Sequence, residues 1–164
     1  MSKIISQRLT ELGLRLPEPP IPRGEYVSVV VHGGIAYVSG YVSRADLAVI
    51  TGPASSETPS STAAAAAHVC VLRALSALEQ ERGGLDAVER ILFLRGYIHA
   101  RPEFLDHSRI LDPASRLLHE IFGERGHHAR SAVGVASLPD GGLLEIELMA
   151  ATRLDSNYKV VSIT

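Results

Sequence analysis

The sequence predicts an α+β fold, with a single mainly antiparallel sheet and two helices on one face of it. Two observations carry this. Apolar periodicity runs helix, β, β, helix, β, helix, β, β, an order foreign to an all-helical bundle and to a repeating βαβ chain. Within that order only two segments are long enough for core helices, so the chain can cover one sheet face and not both.

The elements follow in turn. Residues 3–14 place Ile4, Ile5, Leu9 and Leu12 at helical spacing, with Gly13 as the stop. The stretch LPEPPIPRG, 16–24, carries four prolines and must run extended as a connector. Residues 26–32 and 35–40 are β-rich runs separated by Gly33-Gly34, a hairpin signal. TGPASSETPSS, 51–61, is polar and turn-forming and is expected as a surface loop. A long helix follows over 62–82, with Ala64, His68, Val71, Leu72, Leu75 and Leu78 as its inward stripe and Gly83 as its end.

An apolar strand is expected over 91–100. Asp112-Pro113 then opens a second core helix, proline at its first position, with Leu117, Leu118, Ile121 and Phe122 inward and Gly123 ending it. Strands 131–138 and 143–152 close the core as neighbours, joined through Pro139-Asp140-Gly141-Gly142. The tail, 153–164, is β-forming at Tyr158, Val160, Val161 and Ile163 but has no place in this scheme. No internal repeat is visible, and the 164 residues read as one domain, 1–164, with 1–24 as leading helix and connector. The runs VSVVV, ILFLRGYI and SAVGVASL are apolar at both parities, so the second sheet face also wants burial. Another copy of the same sheet is the simplest cover.

Composition excludes several functions. A net charge of −2 provides no positive field to gather nucleic acid or an anionic membrane. No apolar run suggests a membrane span, and the start MSKIISQRL lacks the pattern of a secretory signal. Cys70 is the only cysteine, which rules out an internal disulfide and fits a reducing, cytoplasmic setting. Lysine occurs only at Lys3 and Lys159, leaving no core lysine for Schiff-base chemistry. His127-His128 is an adjacent pair with diverging side chains and no accompanying ligand spacing, so no metal site is expected. Gly33-Gly34 and Gly141-Gly142 are turns rather than phosphate loops, for no helix with Lys-Ser/Thr follows either. In the C-terminal third, Arg130 stands at a strand entrance, and Glu145 and Glu147 share one strand face. A solvated strand edge would show the same residues; from them alone, an arginine and a carboxylate could share a site.

Two longer strings go further. HARSAVGVASLP, 128–139, is followed six residues after its proline by EIE, 145–147, and LPEPPIPRGEY, 16–26, is followed by YVSG, 37–40. Together they resemble the signatures of the RidA/YjgF/UK114 family, in the subgroup with an extra leading helix, over about residues 12–152. The resemblance implies a homotrimer of chorismate-mutase-like fold with small-molecule clefts at the subunit interfaces. It implies hydrolysis of 2-imino or 2-enamino acids to 2-keto acids and ammonia, with neither metal nor cofactor. Carried over by position, Arg130 matches the arginine that grips the substrate carboxylate, Glu145 the acid that positions water, Tyr26 the pocket tyrosine, and Ser39-Gly40 the pocket edge. Three positions depart from the family pattern: Tyr41 where glutamine is frequent, Ser115 where many members carry asparagine, and Ala132 where some carry cysteine. Tyr41 and Ser115 are accordingly placed among the substrate-binding residues. Other functions in the family's range are a non-catalytic trimer that binds small carboxylates and a ribonuclease; the acidic balance speaks against the latter.

Pairing 138 with 143 across the last turn would set Glu145 opposite Ala136 and Arg130 opposite Ala151, on one face. Six residues of strand, roughly 20 Å, would then separate them, too far for one small substrate. The expected working pair is therefore intermolecular.

Overall fold

The computed structural model describes residues 4–45 and 48–153; the tail expectation at Tyr158 to Ile163 lies outside them. Three helices, α1 (Ile4–Glu11), α2 (Ser60–Arg82) and α3 (His107–Phe122), accompany seven strands. These are β1 (Val29–His32), β2 (Ile35–Val42), β3 (Arg44–Ala45), β4 (Ala48–Val49), β5 (Val88–His99), β6 (Ala129–Val135) and β7 (Leu144–Thr152). The main sheet has the order β1-β2-β7-β5-β6, antiparallel except for the β5/β6 pair, and β3/β4 form a separate small ribbon. The α+β expectation holds.

The sheet is two-faced for a reason visible in β7, where buried and half-buried residues alternate strictly. Leu144, Ile146, Leu148 and Ala150 point under the helices with Leu94, Ile98, Ala36 and Val38. Gly96 belongs to this face, where an added Cβ would strike the Leu111 side chain, so its absence lets α3 lie close to β5. On the other face stand Val30, Tyr37 and Val133, all substantially exposed, beside Arg95, Tyr97, Glu145 and Glu147. That face is less apolar than the sequence runs suggested.

Gly33 and Gly34, with φ of 57° and 79°, make the β1–β2 turn as the sequence requires. Elsewhere four expectations are corrected. First, α3 begins at His107, and Pro113 lies inside it. Fully buried Ile110 and Leu111 contribute roughly 1.5–3 kcal/mol each, enough to offset the roughly 3 kcal/mol that an interior proline costs. Second, α2 buries Ala63, Ala66, Ala67, Cys70 and Ala74 along with Val71, Leu75 and Leu78, while Ala64, His68 and Leu72 are only half-buried. Small side chains face α3 and the sheet because they allow close approach, and a reading weighted to large residues rotates the stripe. Third, α2 is by length and mean hydropathy (1.4) apolar enough to cross a membrane, contrary to expectation, yet it packs as a core helix. Fourth, β6 and β7 are not neighbours. β5 lies between them, and Pro139–Gly141 forms a 3-10 turn with Asp140 at φ 54° instead of a hairpin.

Candidate functional site

At Ser39-Gly40 the ladder between β2 and β7 shifts, so that Val38 pairs with Leu148 but Tyr41 with Ile146. Two residues of β2 thus oppose one of β7, a bulge that keeps both Val38 and Tyr41 inward. Gly40 sits in this bulge beneath Glu145, and an added Cβ would overlap the Glu145 carboxyl. The missing side chain is what lets Glu145 fold over the strand. Ser39 Oγ donates to the Val27 carbonyl (2.7 Å) and its amide to the Ser28 carbonyl (3.0 Å). These bonds hold the segment carrying Tyr26 along β2, past the point where β1 stops.

The result is a cleft of about 200 Å3 lined by Tyr26, Gly40, Tyr41 and Glu145. Burial raises the Glu145 pKa above the ordinary carboxylate value, and the like charge of Glu147 raises it further. Glu147 itself is engaged by Arg95 (2.9 Å) and by the Tyr97 hydroxyl (3.3 Å), leaving Glu145 as the carboxyl free to take or give a proton in the cleft. Tyr41 is 6% exposed, and burial pushes its phenol above the usual value. Cys70 is fully buried, which drives its thiol strongly upward and disqualifies it as a nucleophile.

Arg130 is elsewhere. It pairs with Leu94 on the helix-covered face, and its guanidinium reaches α3, donating to Ser115 Oγ (3.1 Å) and Asp112 Oδ1 (2.6 Å). Behind it, His128 Nδ1 lies 2.6 Å from the Gly126 carbonyl and must donate to it. A neutral ring then accepts the Ser115 hydroxyl at Nε2, 3.0 Å away. Burial lowers the His128 pKa and so favours that neutral form. Asp112, Ser115 and His128 together fix the orientation of the guanidinium.

The predicted residues therefore fall into two groups: Tyr26, Ser39, Gly40, Tyr41 and Glu145 at the β2–β7 bulge, and Arg130 with Ser115 at the β6–α3 edge. The expected sharing of one face by Arg130 and Glu145 is wrong, since Glu145 pairs with Tyr97 on the open face. Sequence reasoning also missed Arg23, Arg44 and Arg73, which line the same cleft as Glu145 from the connector, β3 and α2. Arg23 stands inside the 16–26 string but nothing there marks it as a cleft residue, and no motif contains Arg44 or Arg73; only the fold brings the three segments together.

A family described as "YjgF/chorismate mutase-like, putative endoribonuclease" matches residues 6–152. The Trypanosoma cruzi protein TCP17 is 35% identical over 147 residues, covering 88% of this chain and 92% of TCP17. A solved Shewanella oneidensis protein, described as a putative endoribonuclease, is 30% identical with a TM-score of 0.83, over 90% of this chain and 98% of that one. E. coli TdcF, solved with bound serine, shares the fold at 20% identity and a TM-score of 0.55, over 84% and 94% of the two chains. With a match across nearly all the described strands and helices, the chain belongs to the RidA/YjgF family.

Proposed function

We propose that the protein hydrolyses small 2-imino or 2-enamino acids to 2-keto acids and ammonia, in clefts between the subunits of a homotrimer and without metal or cofactor. The observation that carries this reading is Glu145, a half-buried carboxyl of raised pKa set over a glycine in a small cleft. In the proposed reaction, on the protonated imine (C=NH2+), its carboxylate takes a proton from water as the oxygen bonds to the C=N carbon. That proton passes to the nitrogen, the carbinolamine hydroxyl returns its own proton to Glu145, and the C–N bond breaks to release ammonia. Arg130, braced by Ser115 and Asp112, supplies the guanidinium fork for the substrate carboxylate. Tyr26 and Ser39-Gly40 form the rim on the Glu145 side, and Tyr41 its floor.

The open sheet face, with Val30, Tyr37 and Val133 exposed, supports assembly by covering it with further copies. TdcF's bound serine, a small amino acid carrying a carboxylate, is compatible with such a cleft. The test is ammonia release from freshly generated 2-imino acids above the uncatalysed rate, with Glu145→Gln and Arg130→Ala as controls. Carboxylate binding without turnover would replace this reading by that of a non-catalytic binding protein. Light scattering reports the assembly directly: a trimer mass is expected, and a monomer at low micromolar concentration would refute it.

A further inference from the structure

The cleft beside Glu145 carries more positive charge than hydrolysis of a simple 2-imino acid requires. Arg23, Arg44 and Arg73 enter it from three different segments. Arg23 and Arg44 share one carboxylate, Asp140, at the turn before β7. Arg73 has no carboxylate within ion-pair distance among the described residues. Its guanidinium donates to the Val42 carbonyl (2.9 Å), on the edge of β2 that β1 leaves free, and lies 5.3 Å from the centre of the Tyr41 ring. Burial lowers its pKa, with Cys70 and Tyr41 acting against that and Arg44 and Arg23 adding to it. The Tyr41 hydroxyl, buried beside Ser28, makes no hydrogen bond of ordinary geometry among the described residues, although Tyr41 lines the cleft. A buried donor without an acceptor next to an unneutralised guanidinium is a site for an anion.

Position says what kind. Glu145 lies over Gly40, whereas Arg73 is anchored at Val42, two residues farther along β2 or roughly 6–7 Å. A substrate whose reacting carbon is beside Glu145 therefore reaches Arg73 and Tyr41 with its far end. We propose that Arg73, with the Tyr41 hydroxyl, is a subsite for a second carboxylate, so that the substrate class is the dicarboxylic 2-imino acids of four or five carbons. This rests on the deaminase reading above.

The test compares kcat/KM for 2-imino acids generated in place from aspartate and glutamate with those from alanine and leucine. The wild type is expected to favour the dicarboxylic pair by about tenfold or more, the worth of one charge-assisted hydrogen bond. Arg73→Met should collapse that ratio mainly through KM for the dicarboxylic substrates, Arg73→Lys should recover part of it, and Tyr41→Phe should reduce it. A folding defect would lower both substrate classes together. Calorimetric binding of 2-oxoglutarate against 2-oxobutyrate reads the subsite without turnover. Tighter, Arg73-dependent binding of the diacid in a protein that hydrolyses no imino acid would keep the subsite and remove the deaminase. Equal preference for both classes in the wild type, or a preference untouched by Arg73→Met, would overturn the proposal.

Discussion

Arg130 and Glu145 point to opposite faces of the five-stranded sheet. Arg130 pairs with Leu94 and reaches α3 through Ser115, whereas Glu145 pairs with Tyr97 on the face away from the helices. Three residues of β5 and two strand spacings separate them, roughly 14 Å between backbones before the faces are considered. If both act on one substrate, they come from different subunits. Mixing Arg130→Ala and Glu145→Ala subunits, each inactive alone, should restore part of the ammonia release, because some interfaces then hold both intact residues. Reassembled mixtures as inactive as either parent would exclude a shared intermolecular site.

The sequence leads to the same expectation, but through a strand register that the structure does not have. Pairing 138 with 143 treated Pro139 to Gly142 as a hairpin turn. In the structure Pro139–Gly141 is a 3-10 turn with Asp140 in a left-handed conformation, and β5 inserts between β6 and β7. Strand order is set by which edges meet in space, and a turn sequence reports only its local geometry. The Gly33-Gly34 turn was legible because both glycines meet a backbone demand that only the hairpin makes. Glu145 and Arg130 were legible because each lies within a contiguous family string. Arg73 and Asp112 were not, because each looks like an ordinary polar residue on a helix until the fold places it against its site.

The raised pKa of Glu145 carries a stability cost. A carboxyl whose folded pKa lies above its unfolded value binds more protons in the native state, so it weakens the fold as pH rises through that range. Glu145→Gln should therefore melt at a higher temperature than the wild type at pH 7, with the difference vanishing near pH 4, while turnover is abolished. An unchanged or lower melting temperature at neutral pH would show that the carboxylate is not desolvated as described.

Gly40 and Glu145 should be energetically coupled. Gly40→Ala places a methyl where the Glu145 carboxyl lies; the flexible carboxyl must swing aside, which should cost up to about 1 kcal/mol of stability and at least tenfold in kcat/KM. In a Glu145→Ala background the same substitution should cost far less, since nothing then occupies the space. Denaturant unfolding of the four proteins completes the cycle, and additive costs would mean that Gly40 serves the bulge alone.

His128 sets the last expectation. Its folded pKa lies below the unfolded value, chiefly through burial, so its contribution is fully present above the unfolded pKa and is lost as pH falls through the folded one. Protonation also places a second donor against Ser115 Oγ, which already accepts from Arg130. Acidification from pH 7.5 to 5.5 should thus lower stability and loosen the guanidinium together. His128→Gln should flatten the pH dependence of the melting temperature, though not abolish it, because burial lowers the pKa of His119 as well. Ser115→Ala should raise KM several-fold with little change in kcat at any pH, since it frees one nitrogen of Arg130 without removing the charge. A KM unmoved by Ser115→Ala would show that Asp112 alone holds Arg130 in place.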